Sequence, residues 1–381
     1  MVDTGDLKSP PRIGGMSSTL IAGKMKKILG ISAGDPAGIG MEVSLKALNY
    51  RGIYGHCAPL LIGDRTVAED VLSVTGLSLN LHCINSPEEV LGEYGTVDLL
   101  DMRLLGRRNS GVQGWDYGKV SEAAGNAAFR YVERAVRLAM EKRVAAMVTA
   151  PINKAPINLA GCHYAGHTEI LSDLTGIKDY AMVLVCGKLR VIHVTTHVPL
   201  KSASELITET RILKVIRLAR MSIRQLKPQG SVPDGGKPRE PKIAVAGFNP
   251  HASESGLFGD EEEKVIIPAI MAARAEGINV EGPVPSDTVF VKAMAGQYDI
   301  VVAMYHDQGH IPLKLSGFKL NAENGRYIVN GINLTIGLPI IRTSVDHGTA
   351  FDIAGKNCSS EQSMIDAIET ASLMASNNQP G

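Results

Sequence analysis

From residue 27 onward, short apolar runs alternate with longer stretches in which apolar residues return every three or four positions. A four- to six-residue apolar run reads as a buried strand, and a 3.6-residue period as a helix packed on one face. Their alternation predicts a parallel sheet covered by helices. Strands are expected at 28–32, 60–63, 145–149, 181–186, 190–195, 242–246 and 300–303, and helices at 41–48, 123–142 and 169–174. Two segments break the pattern. Residues 228–241 (PQGSVPDGGKPREP) are too rich in Pro and Gly for regular structure and read as an exposed loop ahead of a strand. Residues 319–330 (KLNAENGRYIVN) are polar and turn-prone and read as an insertion. No internal repeat is visible.

With 381 residues and 44% hydrophobic positions, the chain has material for one large domain or two, which excludes a disordered tail or a disulfide-dependent mini-domain. Lys plus Arg and Asp plus Glu both number 39, so no net charge draws the chain to nucleic acid or to an anionic membrane, and neither is expected as a partner. Five dispersed cysteines, with no C-x-x-C pair, read as reduced thiols and place the protein in the cytoplasm. No apolar run reaches the roughly 18 residues of a membrane span. Residues 1–26 lack a signal-peptide core and are expected to be a flexible leader.

Chemistry is to be sought where strands run into polar turns, because ligand sites of open α/β sheets form at strand ends. Gly34-Asp35-Pro36-Ala37-Gly38-Ile39-Gly40 could bring backbone close to an anion, or be only a tight turn. Thr149-Ala150-Pro151-Ile152-Asn153-Lys154 places Lys154 where it could neutralise an anion or shuttle a proton, although a loop lysine is commonly just solvated. Gly166-His167-Thr168-Glu169 opens a helix and sets an imidazole and a hydroxyl beside free N–H groups; a plain N-cap is the alternative. Three further turns hold His197 (THVP), His251 (NPHA) and His306 (YHDQG). Three neutral imidazoles at three strand ends can converge on one divalent metal, with Asp287 (PSDT) as an added carboxylate. His56, His82, His163 and His193 are read as structural, and His310 and His347 are left undecided. Lys314, Asn333 and Arg342 offer two cations and an amide to a phosphorylated acid.

The motifs GDPAGIG, TAPINK, GHTE, TTHVPL, NPHASE with GLFGDEE, PSDTVF, YHDQGHIPLKL and GLPIIRTSVDHGTA follow one another in a single order. Together they closely resemble the 4-hydroxythreonine-4-phosphate dehydrogenase (PdxA) family over about residues 27–370. The resemblance implies an isocitrate/isopropylmalate-dehydrogenase-like α/β fold with two α/β/α domains and a cleft between them. These are expected at 27–154 plus 311–381 and at 155–310. It also implies a homodimer whose active sites use both subunits. His197, His251 and His306 match the divalent-metal ligands (zinc, magnesium, manganese or cobalt), with His306 coming from the partner. His167, Thr168, Lys314, Asn333 and Arg342 match substrate-binding positions, and Asp287 an acidic position near the metal. Met41 stands where the family usually has Pro, Ser253 where it has Gly, and 319–330 lengthens the join between Lys314 and Asn333.

Within the family, YHDQGHIPLKLSGF, DYAMVLVCGKLRVIHVTTHVPL and HGTAFDIAGK look more like the catabolic D-threonate/D-erythronate 4-phosphate dehydrogenases than the vitamin B6 enzymes. The implied reaction is NAD-dependent oxidation of the C3 hydroxyl of a 4-phosphorylated four-carbon hydroxy acid, followed by decarboxylation. The alternatives are 4-phosphohydroxy-L-threonine oxidation in pyridoxal phosphate synthesis, a cis-dihydrodiol acid dehydrogenase and a metal-dependent hydrolase.

Overall fold

The computed structural model describes residues 26–111, 114–164, 166–226, 239–320, 327–329 and 331–378. Apart from Lys26, the expected leader lies outside these residues, and so does most of the expected 228–241 loop.

Twelve strands form one sheet, built from two wings joined by an antiparallel seam. The first wing holds β1 (Ile28–Ser32), β2 (Ala58–Gly63), β3 (Asn80–Ile84), β4 (Thr96–Asp101) and β5 (Ala146–Thr149), in the order β3-β4-β2-β1-β5, all parallel. The second wing holds β6 (Ala181–Cys186), β7 (Leu189–His193), β8 (Ile243–Ala246), β9 (Val280–Val284) and β10 (Ile300–Ala303), in the order β6-β7-β10-β8-β9, parallel except that β6 runs antiparallel to β7. A separate antiparallel pair, β11 (Phe318–Leu320) with β12 (Tyr327–Val329), replaces the expected irregular insertion, with Phe318 opposite Val329 and Leu320 opposite Tyr327. Residues 321–326 and 330 of that segment lie outside the description. The wings meet through β13 (Ile332–Ile336) and β14 (Arg342–Val345). β14 runs parallel to β5 and antiparallel to β13, and β13 runs antiparallel to β6.

The central strands β2, β5, β8 and β10 are buried at every residue, as strands covered on both faces must be. The covering helices include α1 (Gly40–Leu48), α2 (Arg65–Thr75) and α3 (Glu122–Met140). In α3 the apolar positions Ala124, Ala128, Tyr131, Val132, Ala135 and Leu138 recur at helical spacing and face the core. Ser121 caps α3 by accepting the Ala124 N–H at 3.2 Å. Then follow α4 (Lys154–Leu159), α5 (His167–Thr175), α6 (Leu200–Leu206), α7 (Glu209–Leu226), α8 (Ile267–Ala275), α9 (Ser286–Met294), α10 (His306–Gly317) and α11 (Gln362–Asn377). Among the described residues no helix is long and apolar enough to cross a membrane.

One contact sets the position of the TAPINK segment. Gly125 lies directly against the Pro156 carbonyl in α4, and a side-chain carbon at 125 would overlap backbone there. Gly125→Ala is therefore expected to destabilise the protein by about 1–3 kcal/mol, the usual cost of forcing a well-packed contact apart. A denaturant melt checks this, and an unchanged midpoint would show that α4 yields freely.

Candidate active site

Arg342 opens β14 and is buried, with 3% of its surface exposed. Its guanidinium donates to two neutral groups. Thr149 Oγ1, at the end of β5, accepts from Nε at 3.2 Å and Nη2 at 2.7 Å, and Thr335 Oγ1 of β13 accepts from Nη1 at 3.0 Å. Burial pulls the group down to about 9, so it remains a cation at neutral pH, and among the described residues no carboxylate shifts it. Taking a charge out of water without a counter-charge is costly, and such a site favours any anion that can enter.

A pocket of about 90 Å³ opens here, lined by Thr149, Pro151, Ile152, His167, Ser344, Val345, His347 and Gly348. That volume holds several water-sized spheres. His167 starts α5, and its Nε2 is enclosed and has no hydrogen-bond partner among the described residues. Burial, then the Arg342 charge, pushes its imidazole well below the ordinary 6.5, so it is neutral. His347 Nδ1 lies 3.0 Å from the Gly348 carbonyl, which makes Nδ1 the donor and Nε2 a lone-pair acceptor, likewise enclosed and unpartnered. Asn333 Oδ1, on β13, is a third such atom. Thr168, half-buried, is the second residue of α5. Lys314 lies close by but is already neutralised, with Nζ 2.6 Å from Asp346 Oδ2 and 3.1 Å from its carbonyl. The expectation of two available cations thus becomes one, Arg342, plus an ion pair. Thr149, His347 and Asp346 join the substrate-binding candidates without having been singled out for that role.

A second pocket, of about 310 Å³, is lined by residues 196–200, Ala203, Tyr305, His306 and Asp307. The ring centroids of His197 and His306 lie 5.5 Å apart, and burial, then His306, lowers the His197 imidazole below its ordinary value. Asp307 Oδ1 sits 2.7 Å from His306 Nδ1, which leaves Nε2 as the lone-pair nitrogen. A carboxylate behind a histidine is the usual support of a metal-bound imidazole. The two pockets are linked through α5, where His167 lines the first and Glu169 acts electrostatically on His197.

His306, the histidine expected from a second subunit, thus has His197 as a neighbour in its own chain, and it is His251 that stands apart. His251 lies exposed in a left-handed turn, 6.3 Å from the Phe258 ring. Residues 251–255 have φ of 54°, 55°, 63°, 46° and 60°, a conformation that costs roughly 1–2 kcal/mol per non-glycine residue. Glu262, buried, holds this turn by accepting from the amides of Phe248 and Asn249, both at 2.7 Å, and from Asn249 Nδ2 at 2.8 Å. Strain of this kind persists only where the surroundings hold it, and here the buried carboxylate does so. Among the described residues no three His, Cys, Asp or Glu side chains converge as a metal set. Within one chain, the residues fit two-thirds of the expected ligand set. Asp287 is exposed in the first turn of α9, the helix against which the His251 turn packs. Lys154 is exposed at the start of α4 and makes no ion pair among the described residues.

His193 and His310, passed over or left open in the sequence, lie in this region. His193 is fully buried at the end of β7, with its ring 4.8 Å from His310 and 6.4 Å from His306. Gly309 makes room for it, since a side-chain carbon there would collide with the His193 ring. The pairing joins β7 to α10 across more than a hundred residues, a relation that no local pattern displays.

The GDPAGIG turn braces the first pocket from behind. The Asp35 N–H donates to the carbonyl of Pro151, a pocket residue, at 3.0 Å, and its Oδ1 accepts the Ala37 N–H at 2.9 Å. Burial raises the Asp35 carboxyl from 3.8 to about 6 against these amide bonds. A raised acid favours the fold below its unfolded pKa, and that benefit disappears as pH rises through about 6. Asp35→Asn is therefore expected to be more stable than wild type at pH 7, by on the order of 3 kcal/mol. The difference should close as pH falls toward 4, and parallel melts at pH 4 and 7 measure it. A variant less stable at pH 7 would refute the account.

A family model described as pyridoxal phosphate biosynthetic protein PdxA matches residues 55–371. D-threonate 4-phosphate dehydrogenase of Salmonella typhimurium is 45% identical over 92% of this chain and 99% of its own. The enzyme of the same name from Cupriavidus necator is 44% identical over 91% and 97%. A crystal structure of 4-hydroxythreonine-4-phosphate dehydrogenase from Klebsiella pneumoniae superposes with a TM-score of 0.76 at 44% identity, covering 92% of this chain and 99% of that one. The α/β fold and these relatives together define a dehydrogenase, an enzyme acting on a hydroxyl group. More particularly, the chain belongs to the PdxA family.

Proposed function

We propose that this enzyme oxidises the C3 hydroxyl of D-threonate or D-erythronate 4-phosphate with NAD and a divalent metal, and that the product loses carbon dioxide. The observation that carries the reading is Arg342, a buried cation bonded among the described residues to hydroxyls only, beside a polar-lined pocket. Such a site takes an anionic group of the substrate, phosphate or carboxylate, in a bidentate grip that lysine could not give. His167, Asn333 and His347 offer the enclosed polar atoms that orient the rest of the molecule. The Lys314–Asp346 pair ties α10 to the segment that carries His347. Relatives named for D-threonate 4-phosphate at 44–45% identity support this choice of acid.

His197 and His306, the latter backed by Asp307, would hold the metal, and a complete set of three requires a second copy of the chain, as in a homodimer with shared sites. When bound, a divalent ion supplies Lewis acidity toward the substrate hydroxyl and carboxylate, and NAD supplies the hydride acceptor. The likeness to the Klebsiella structure, named for 4-hydroxythreonine 4-phosphate, favours a second reading, oxidation of 4-phosphohydroxy-L-threonine.

NADH formation with a divalent metal and each of D-threonate 4-phosphate, D-erythronate 4-phosphate and 4-phosphohydroxy-L-threonine decides between them. A rate on the sugar acids alone supports the first reading, and a rate on the amino acid alone supports the second. Silence on all three with metal bound would overturn both, in favour of a dihydrodiol acid or of hydrolysis.

A further inference from the structure

One face of the His306 ring is covered by a second imidazole. His310 follows it by one turn of α10, and the two imidazoles stack with centroids 3.6 Å apart and planes 11° from parallel. His310 Nδ1 lies 2.9 Å from the His306 carbonyl oxygen, which fixes Nδ1 as the donor and locks the ring over its neighbour. Beside the stack, the buried His193 ring lies 4.8 Å from His310, in a space left by the absent side chain of Gly309. His193 thus packs against His310 from β7. Around the His306 ring stand His197, with its centroid at 5.5 Å, and Asp307, 2.7 Å from Nδ1 at the ring edge. Helix geometry alone does not produce this arrangement. An (i, i+4) pair lies on one face, but the rings are otherwise free to take different rotamers.

We infer that His310 is a positioning residue, a flat plate that holds the His306 ring at the orientation in which its Nε2 meets the metal. The inference rests on the reading of His197 and His306 as metal ligands. His310 itself is not a ligand in this account, because its ring lies parallel to that of His306 and an imidazole lone pair lies in the plane of its own ring. What His310 contributes is the loss of alternatives: without the plate the His306 side chain samples several rotamers, and binding must select one.

The test is cobalt(II) titration of the metal-stripped full-length protein, followed by the visible ligand-field spectrum and by calorimetry, with no substrate or NAD present. His310→Ala is expected to weaken cobalt affinity tenfold or more, the low end of the effect of removing a support behind a metal ligand, and to alter the band shape. His310→Phe keeps a flat ring and lacks any donor atom, so it should retain affinity within about threefold, the same principle setting the scale. If His310→Ala binds cobalt as tightly as wild type with the same spectrum, His310 positions nothing. If the Phe variant is as weak as the Ala variant while both melt as wild type, the imidazole nitrogens matter and the plate account fails. His306→Ala separates this from the underlying reading. Unchanged cobalt binding in that variant would remove the metal site itself, whereas lost binding there with none lost in His310→Ala would overturn only the present inference.

Discussion

Replacing Arg342 by methionine is expected to raise the KM for the phosphorylated substrate by a hundredfold or more while leaving the protein as stable as before, or more so. The two halves of this result have one cause. In the ligand-free protein the guanidinium is buried against the hydroxyls of Thr149 and Thr335, so its desolvation is offset only by neutral hydrogen bonds. Substituting buried ionic groups with apolar ones of similar volume is commonly neutral or stabilising by about 1–4 kcal/mol. When the anion enters, the same burial makes the pair strong, and truncating one partner of such a pair costs roughly 2–5 kcal/mol of binding. Inorganic phosphate should accordingly raise the melting temperature of the wild type, by linkage, and leave that of Arg342→Met unmoved. A variant with a lowered melting temperature and an unchanged KM would make Arg342 a structural residue and remove the main support for the proposed substrate class.

The second large effect concerns the metal. Exhaustive chelation is expected to abolish NADH formation, with recovery on adding back a divalent ion. His251→Ala is expected to lose both turnover and metal retention with little change in melting. The His251 ring is exposed, and the turn beneath it is held by Glu262 through backbone amides that the substitution does not touch. Removing a side chain of that kind usually alters stability by no more than about 0.5 kcal/mol. Turnover in His251→Ala equal to wild type would end its assignment as a ligand.

Much of the architecture was legible because burial leaves a simple signature. The strands at 28–32, 146–149, 181–186 and 300–303 are short apolar runs, and the face of α3 repeats with helical spacing. The strands that escaped notice are those bearing polar residues. β4 contains the buried Asp98, which takes up His82 and the Gly92 amide. β13 and β14 contain Asn333, Thr335 and Arg342, so the chemistry that makes them part of the site is what hid them as strands. For the site itself, the strand-end turns led to His167, His197, His251 and His306, while two cations and an amide at loop–element junctions led to Lys314, Asn333 and Arg342. The partners of these residues were not legible. Asp346 behind Lys314, Thr149 beneath Arg342 and His193 behind His310 become neighbours only when distant strands are laid side by side.

The seam between β5 and β14 has a consequence for the birth of the molecule. Thr149 leaves the ribosome 193 residues before Arg342, its hydrogen-bond partner. Until then β5, apolar and destined to be buried at every residue, has only β1 beside it, and its other edge is open. An unpaired apolar edge is an invitation to pair with another nascent chain. The N-terminal wing therefore cannot be finished cotranslationally on its own, and the strand that closes it is the one that brings in Arg342. A chain truncated before residue 342 would lack both, so closing the sheet and burying Arg342 against Thr149 are one late event in this protein's biogenesis.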